Sequence, residues 1–342
     1  MNATKQQHYL DLPNFFKPNL VKKVYRIPYQ QRAVDAEAWA TENHIKPAST
    51  DRKRVGLLLI DVQNTFCIPD FELFVGGISG MGAVEDNIRL CEFIYRNLGL
   101  ITEIIPTMDS HTAMQIFHPL FWVNDRGNHP EPATMISLTD VQQGKWQVNP
   151  EVAYSLVHGD VNQLAQYALH YVQKLNDDGK YPLTIWPYHS MLGGIGHALV
   201  SAVEEAVFFH SIARKSQASF ELKGSNPLTE NYSVLSPEVL DGADGKIIAQ
   251  KNTALIKKLI DFDRLVIAGQ AKSHCVAWTI DNLLTEIQNI DINLAKKIYL
   301  LEDCTSPVVI PGVVDFTSQA DEAFQKFAAA GMNLIKSTDI IF

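Results

Sequence analysis

The sequence predicts an α/β protein built on a doubly wound, mainly parallel six-stranded sheet with helices on both faces. Six short, almost purely apolar runs carry this expectation: Val55 to Ile60, Leu100 to Pro106, Leu183 to Trp186, Leu265 to Ala268, Ile298 to Leu301 and Asn333 to Ile335. Each is bounded by polar or turn residues, as expected of strands buried on both faces. Between them, Asn87 to Asn97, Ile195 to Ser216, Val276 to Ile287 and Ser318 to Ala330 have their apolar residues at helical spacing. Strand alternating with helix implies parallel pairing, and in such sheets sites form at the carboxyl ends of the strands. With 342 residues, 46% hydrophobic and 20% charged, the chain can bury a large core and lacks the composition of disorder.

Two segments fit the alternation badly. Residues 1–54 precede the first core strand and are read as an N-terminal extension wrapping the core or a partner subunit. Residues 119–181 are too long for one crossover helix, carry several helical patterns such as Asp160 to Leu175, and are read as an inserted helical subdomain or lid within a domain spanning 55–342. The chain has no internal repeat and no low-complexity tract.

A net charge of −9 disfavours a phosphate backbone as partner, so nucleic acid is not expected. No apolar run approaches the roughly 18 residues that span a bilayer, and Met1 to Val21 has no apolar segment of a secretory signal. Cys67, Cys91, Cys275 and Cys304 lack the spacing of a disulfide framework or a zinc knot. A reducing cytoplasm and a small-molecule substrate are the expectation.

The strand ends carry the chemistry. Asp61 stands at the tip of LLLID, either as a helix cap or as a functional acid, and no GxGxxG follows it, which disfavours dinucleotide binding. The second strand runs into Asp109-Ser-His111 and the third into Trp186-Pro-Tyr-His189. One carboxylate and two imidazoles at adjacent strand ends suit a divalent metal (Zn, Fe or Mn) with open positions. His118, beside Pro119, is either a further ligand or a packing residue. The fourth strand leads through Gln-Ala-Lys-Ser-His to Cys275, where a helix should begin. A cysteine there is either core filler or a nucleophile, and the helix dipole would favour its thiolate.

Taken in order, LLLIDVQNTF, a DxH, WPxH, FxxKG with a later Tyr, and AGxAxxxCV resemble the isochorismatase-like cysteine hydrolases, and within them the nicotinamidases. The match covers roughly residues 55–342. The resemblance implies a Rossmann-like three-layer sandwich and an amidohydrolase that cleaves a small carboxamide to acid and ammonia through a thioester. It implies Asp61, Lys223 and Cys275 as catalytic, and Asp109, His111 and His189 as metal ligands. It further implies Phe66 and Trp186 sandwiching a flat ring, Tyr232 in the pocket, and an oxyanion hole from the N–H of Cys275 and a non-proline cis peptide at Ala271. The family's oligomers imply a homo-oligomer. The sequence departs from the family where WPxHC has Ser190 for Cys, in Met191-Leu-Gly-Gly-Ile-Gly-His197, and in its longer insertion and extension. His274, adjacent to Cys275, is not read as the base. Competing readings are a ureido, carbamoyl or isochorismate-type hydrolase of the same fold and a non-enzymatic scaffold.

Overall fold

In the computed structural model, which describes residues 10–339, the six strands of the main sheet are all parallel. They are β1 (Val55–Ile60), β2 (Glu103–Asp109), β3 (Glu221–Lys223), β4 (Arg264–Gly269), β5 (Ile298–Leu301) and β6 (Asn333–Ile335), in the order β6-β5-β4-β1-β2-β3. The chain adds β2 and β3 on one side of β1 and then β4, β5 and β6 on the other. The strand order therefore reverses beside β1, the position at which open α/β sheets form their clefts.

Side-chain alternation divides the core. Leu57, Leu59, Ile104, Val266 and Ala268 face one layer, packing with residues of α2 (Gly82–Arg96) and α4 (Ser201–Arg214). Leu58, Ile60, Ile105, Leu265, Ile267 and Leu300 face the other, with α5 (Thr253–Asp261), α6 (Ala277–Ile290) and α7 (Thr317–Ala329). Period-two burial along fully buried strands is what a sheet covered on both faces requires.

The extension, of which residues 1–9 lie outside the described residues, lays α1 (Tyr29–Glu42) over α4. Arg32 Nε donates to Glu205 Oε1 at 2.6 Å, and Tyr25 Oη to Glu205 Oε2 at 2.8 Å. Arg214, 1% exposed, pairs with Asp51 and donates Nε–H to the Ile101 carbonyl at 3.1 Å. The 119–181 segment has a third apolar cluster, in which Phe121, Trp122 and Val148 meet Leu164, Tyr167 and Tyr171 of α3 (Val161–Asp177). Asp160 caps α3 by accepting from the Gln163 N–H at 2.9 Å.

Several sequence expectations need correction. Leu183 to Trp186 is not a strand of the main sheet: Leu183–Thr184 pairs antiparallel with Met135–Ile136, and its apolar side chains serve the insertion's own cluster. The sixth sheet strand is instead β3, which ends on Lys223. The second strand starts at Glu103 rather than Leu100 and ends on Asp109 itself. Likewise the helix expected from Ile195 begins at Ser201, after a glycine-bearing turn. Among the described residues no helix is long and apolar enough to cross a membrane.

Candidate active site and metal centre

Sheet register assembles the site. Asp109 and Lys223 are direct neighbours across the β2–β3 ladder, and Lys223 Nζ donates to Asp109 Oδ1 at 2.8 Å. Asp61 follows β1 with a left-handed φ of +48°. Its N–H donates to Thr107 Oγ1 at 3.0 Å, and that hydroxyl donates back to Asp61 Oδ1 at 2.5 Å. Asp61 Oδ2 has no aligned hydrogen bond; its partner is the Lys223 ammonium, 3.0 Å away. On the other side of β1, Gly269 ends β4 at φ +128°, where a Cβ would lie 2.0 Å from the Ile60 carbonyl oxygen. Only glycine permits that approach. The Gln270–Ala271 peptide that follows is cis. The chain then enters a π-type turn, Lys272–Val276, that leads into α6 and carries Cys275. Lys223 Nζ is 3.6 Å from Cys275 Sγ and also donates to the Asn231 carbonyl at 2.7 Å. Asp61 stands close enough to the thiol for its charge to act on the sulfur. The acid, the amine and the sulfur named from the sequence therefore meet.

Charge is tightly coupled here. Burial raises the Asp61 pKa, against the pull of Lys223, which suits a proton acceptor. Burial alone would lower Lys223, but the carboxylates of Asp109 and Asp61 overcome it and hold the ammonium well above its usual range. For Cys275 the buried setting opposes the thiolate that a helix start would favour. Burial drives the thiol pKa well upward, Lys223 opposes it, and the Asp61 and Asp109 charges add to the rise. A thiol so placed becomes a nucleophile by giving its proton to a neighbouring acceptor.

One more set converges beside this triad. Potential ligand atoms of Asp109, His111 and His189 all lie within 4.8 Å of one another. His111 Nε2 is 2.7 Å and His189 Nε2 3.6 Å from Asp109 Oδ2. Each ring turns its Nδ1 to a backbone carbonyl, Gly224 at 3.2 Å and Pro187 at 2.7 Å. An imidazole held by one nitrogen with the other facing a carboxylate is the arrangement that metal-binding histidines adopt, so the donor set fits a divalent ion. His189 arrives from a loop and not from a strand end of the sheet. The following residues pair locally with His111, whose N–H donates to the Ser190 carbonyl at 3.0 Å. Gly224, at φ +83°, leaves room: a Cβ there would fall 2.6 Å from His111 Cε1. His118 stands outside the converging set, its ring 5.9 Å from those of His111 and His189 and its Nδ1 at 3.3 Å from the Ala113 carbonyl.

A pocket of about 430 Å³ opens on the sulfur, lined by Phe66, Trp186, Tyr232, Ala271 and His274, with Leu73, Val75 and Val308. The aromatic residues expected to hold a ring are thus in place, and Trp186 Nε1 donates to Tyr232 Oη at 3.2 Å. Sequence reasoning missed three contributors. Gln63 clasps the Asp109 backbone, accepting from its N–H and donating to its carbonyl, both at 2.8 Å. Asn231 holds Lys223. Glu230 lines the pocket, and burial raises its pKa to about 8. Of these only Gln63 had a visible signal, a polar residue two places beyond Asp61 among buried neighbours.

No protein-family model matches the chain, and neither does any curated protein. It is similar to the Acinetobacter baumanii nicotinamidase/pyrazinamidase structure (19% identity, TM-score 0.48, covering 85% of this chain and 99% of that one). It is also similar to the yeast nicotinamidase (17%, 0.49, 82% and 99%) and to an N-carbamoylsarcosine amidase from Thermoplasma acidophilum (14%, 0.41, 84% and 99%). Identities this low leave the reaction to be read from the site.

Proposed function

We propose that the chain is a cysteine amidohydrolase that cleaves a small, neutral, flat carboxamide of the nicotinamide type to its acid and ammonia. One observation carries the reading: Lys223 Nζ lies 3.0 Å from Asp61 Oδ2 and 3.6 Å from Cys275 Sγ, so three side chains at or just beyond separate strand ends form one buried acid–amine–thiol cluster.

In the first half-reaction Asp61 accepts the thiol proton as Sγ bonds to the carboxamide carbon, with Lys223 holding the paired charges. The oxygen that becomes negative is met by the backbone N–H groups of Ala271 and Cys275. Asp61 returns the proton to the amide nitrogen, the C–N bond breaks and ammonia leaves a thioester. In the second half Asp61 accepts a proton from water as the water oxygen attacks the thioester. The C–S bond then breaks, and Asp61 passes the proton back to sulfur. Asp109, His111 and His189 would hold a divalent ion, which when bound would orient the substrate through a ring nitrogen or a water. Phe66 and Trp186 supply flat apolar contact to the ring.

The pocket's chemistry favours a neutral substrate. Among the described residues its acidic and basic lining side chains are Asp109, Lys223 and Glu230, and Lys223, the one cation there, is already engaged by two carboxylates. Among the described residues no lining arginine or second lysine is left to receive the carboxylate of a ureido acid. The reading predicts ammonia release from nicotinamide and pyrazinamide in metal-replete protein and at least roughly 100-fold lower kcat/KM for ureido acids. Preference for the ureido acids would refute the substrate assignment.

A further inference from the structure

We infer that Lys180 and Tyr181, where the 119–181 segment returns to the domain, are positioning residues that hold both halves of the catalytic cluster. The inference rests on the assignment of Cys275 and Lys223 above and gives the insertion a part in the chemistry.

The two side chains reach opposite walls. Lys180 Nζ donates to the Glu238 carbonyl at 2.7 Å and lies 2.9 Å from Glu238 Oε2. Glu238 has 4% side-chain exposure, and Lys180 is the lysine paired with it. Its own N–H donates to the Glu230 carbonyl at 2.8 Å, and the Tyr232 backbone lies beside its carboxylate. Glu238 therefore holds Glu230, the residue before Asn231, whose carbonyl takes the Lys223 ammonium at 2.7 Å. A continuous path runs from Lys180 through Glu238 to the catalytic amine.

Tyr181 reaches the sulfur's side. Its Oη donates to the Ser273 carbonyl at 3.2 Å, inside the Lys272–Val276 turn that presents Cys275. Its ring packs 5.2 Å from that of His274 and 6.5 Å from that of Tyr232, both of which line the pocket. Adjacent residues thus tie the loop that steadies the amine to the turn that carries the thiol. A small shift between those groups is costly, because attack requires near-contact geometry.

The test uses the full chain loaded with its metal, nicotinamide turnover, and the rate at which iodoacetamide alkylates Cys275. Lys180→Met should lower kcat roughly 10- to 100-fold while KM stays within about threefold, and should change the alkylation rate. Lys180→Arg should keep kcat within about threefold of wild type, since it preserves the charge pair. Tyr181→Phe, which removes one hydrogen bond, should lower kcat by about three- to tenfold. Should Lys180→Met not fold, Lys180→Met/Glu238→Gln, which leaves no unpaired buried charge, and Tyr181→Phe carry the same prediction. Unchanged kcat and alkylation in folded variants, or a change in KM alone, overturns the inference while the amidohydrolase reading stands. A wild-type protein that releases no ammonia from any carboxamide, and whose Cys275 is alkylated no faster than Cys67, Cys91 and Cys304, overturns both.

Discussion

The sheet and the insertion build the same pocket by different means. Asp61, Asp109 and Lys223 are placed by main-chain ladders: β2 and β3 are in register at Asp109 and Lys223, and β1 pairs with β2 and β4 along its length. The insertion's contributions, Lys180 and Tyr181, and Trp186 just beyond it, are placed by side-chain contacts and by a separate apolar cluster. Ladders in a fully buried sheet tolerate little movement, whereas a satellite cluster can loosen by itself. Asp61, Asp109 and Lys223 therefore stand on or at the ladders of the sheet, whereas Cys275 stands on a turn that Tyr181 of the 119–181 segment contacts.

The largest effect that sharpens this contrast is on local stability. Leu164 is fully buried in the insertion cluster, and Leu164→Ala should cost about 2–5 kcal/mol there. Hydrogen exchange should show lost protection across α3 and little change in β1 and β4. Equal loss in the central strands would mean one cooperative unit and would break the comparison. A smaller effect falls on the sheet side. Gly224→Ala places a methyl against the His111 ring and should weaken divalent metal binding about 10- to 100-fold, as measured by metal titration, with the sheet intact. Unchanged metal affinity would remove Gly224 from the support of the site.

What was legible in the sequence follows the same division. The runs at β1, β4 and β5 were readable because strands buried on both faces are almost continuously apolar, and half-buried β6 was readable from Leu334 and Ile335. The edge strand β3 was not: it is three residues long, Leu222 is 62% exposed, and Lys223 is polar, so no apolar run marks it. Leu183 to Trp186 misled for the converse reason, being apolar because it fills the insertion's core. Asp61, Asp109, His111 and Cys275 could be placed at strand ends from pattern alone. Lys223, Phe66 and Tyr232 emerged only from the family resemblance, since nothing local distinguishes a buried lysine from a solvated one. At Cys275 the helix start is visible in sequence, while the burial and the two carboxylates that push its pKa up are not. The Lys180–Glu238 and Tyr181–Ser273 contacts join residues 58 and 92 positions apart and leave no local pattern to read.

The measurement that bears most directly on the account is ammonia release from saturating nicotinamide by wild-type protein and by Cys275→Ala, each with the same metal content and the same thermal midpoint. The account predicts turnover by the wild type and none above the uncatalysed rate by the variant, which should still bind the amide. Release by Cys275→Ala at the wild-type rate would contradict it.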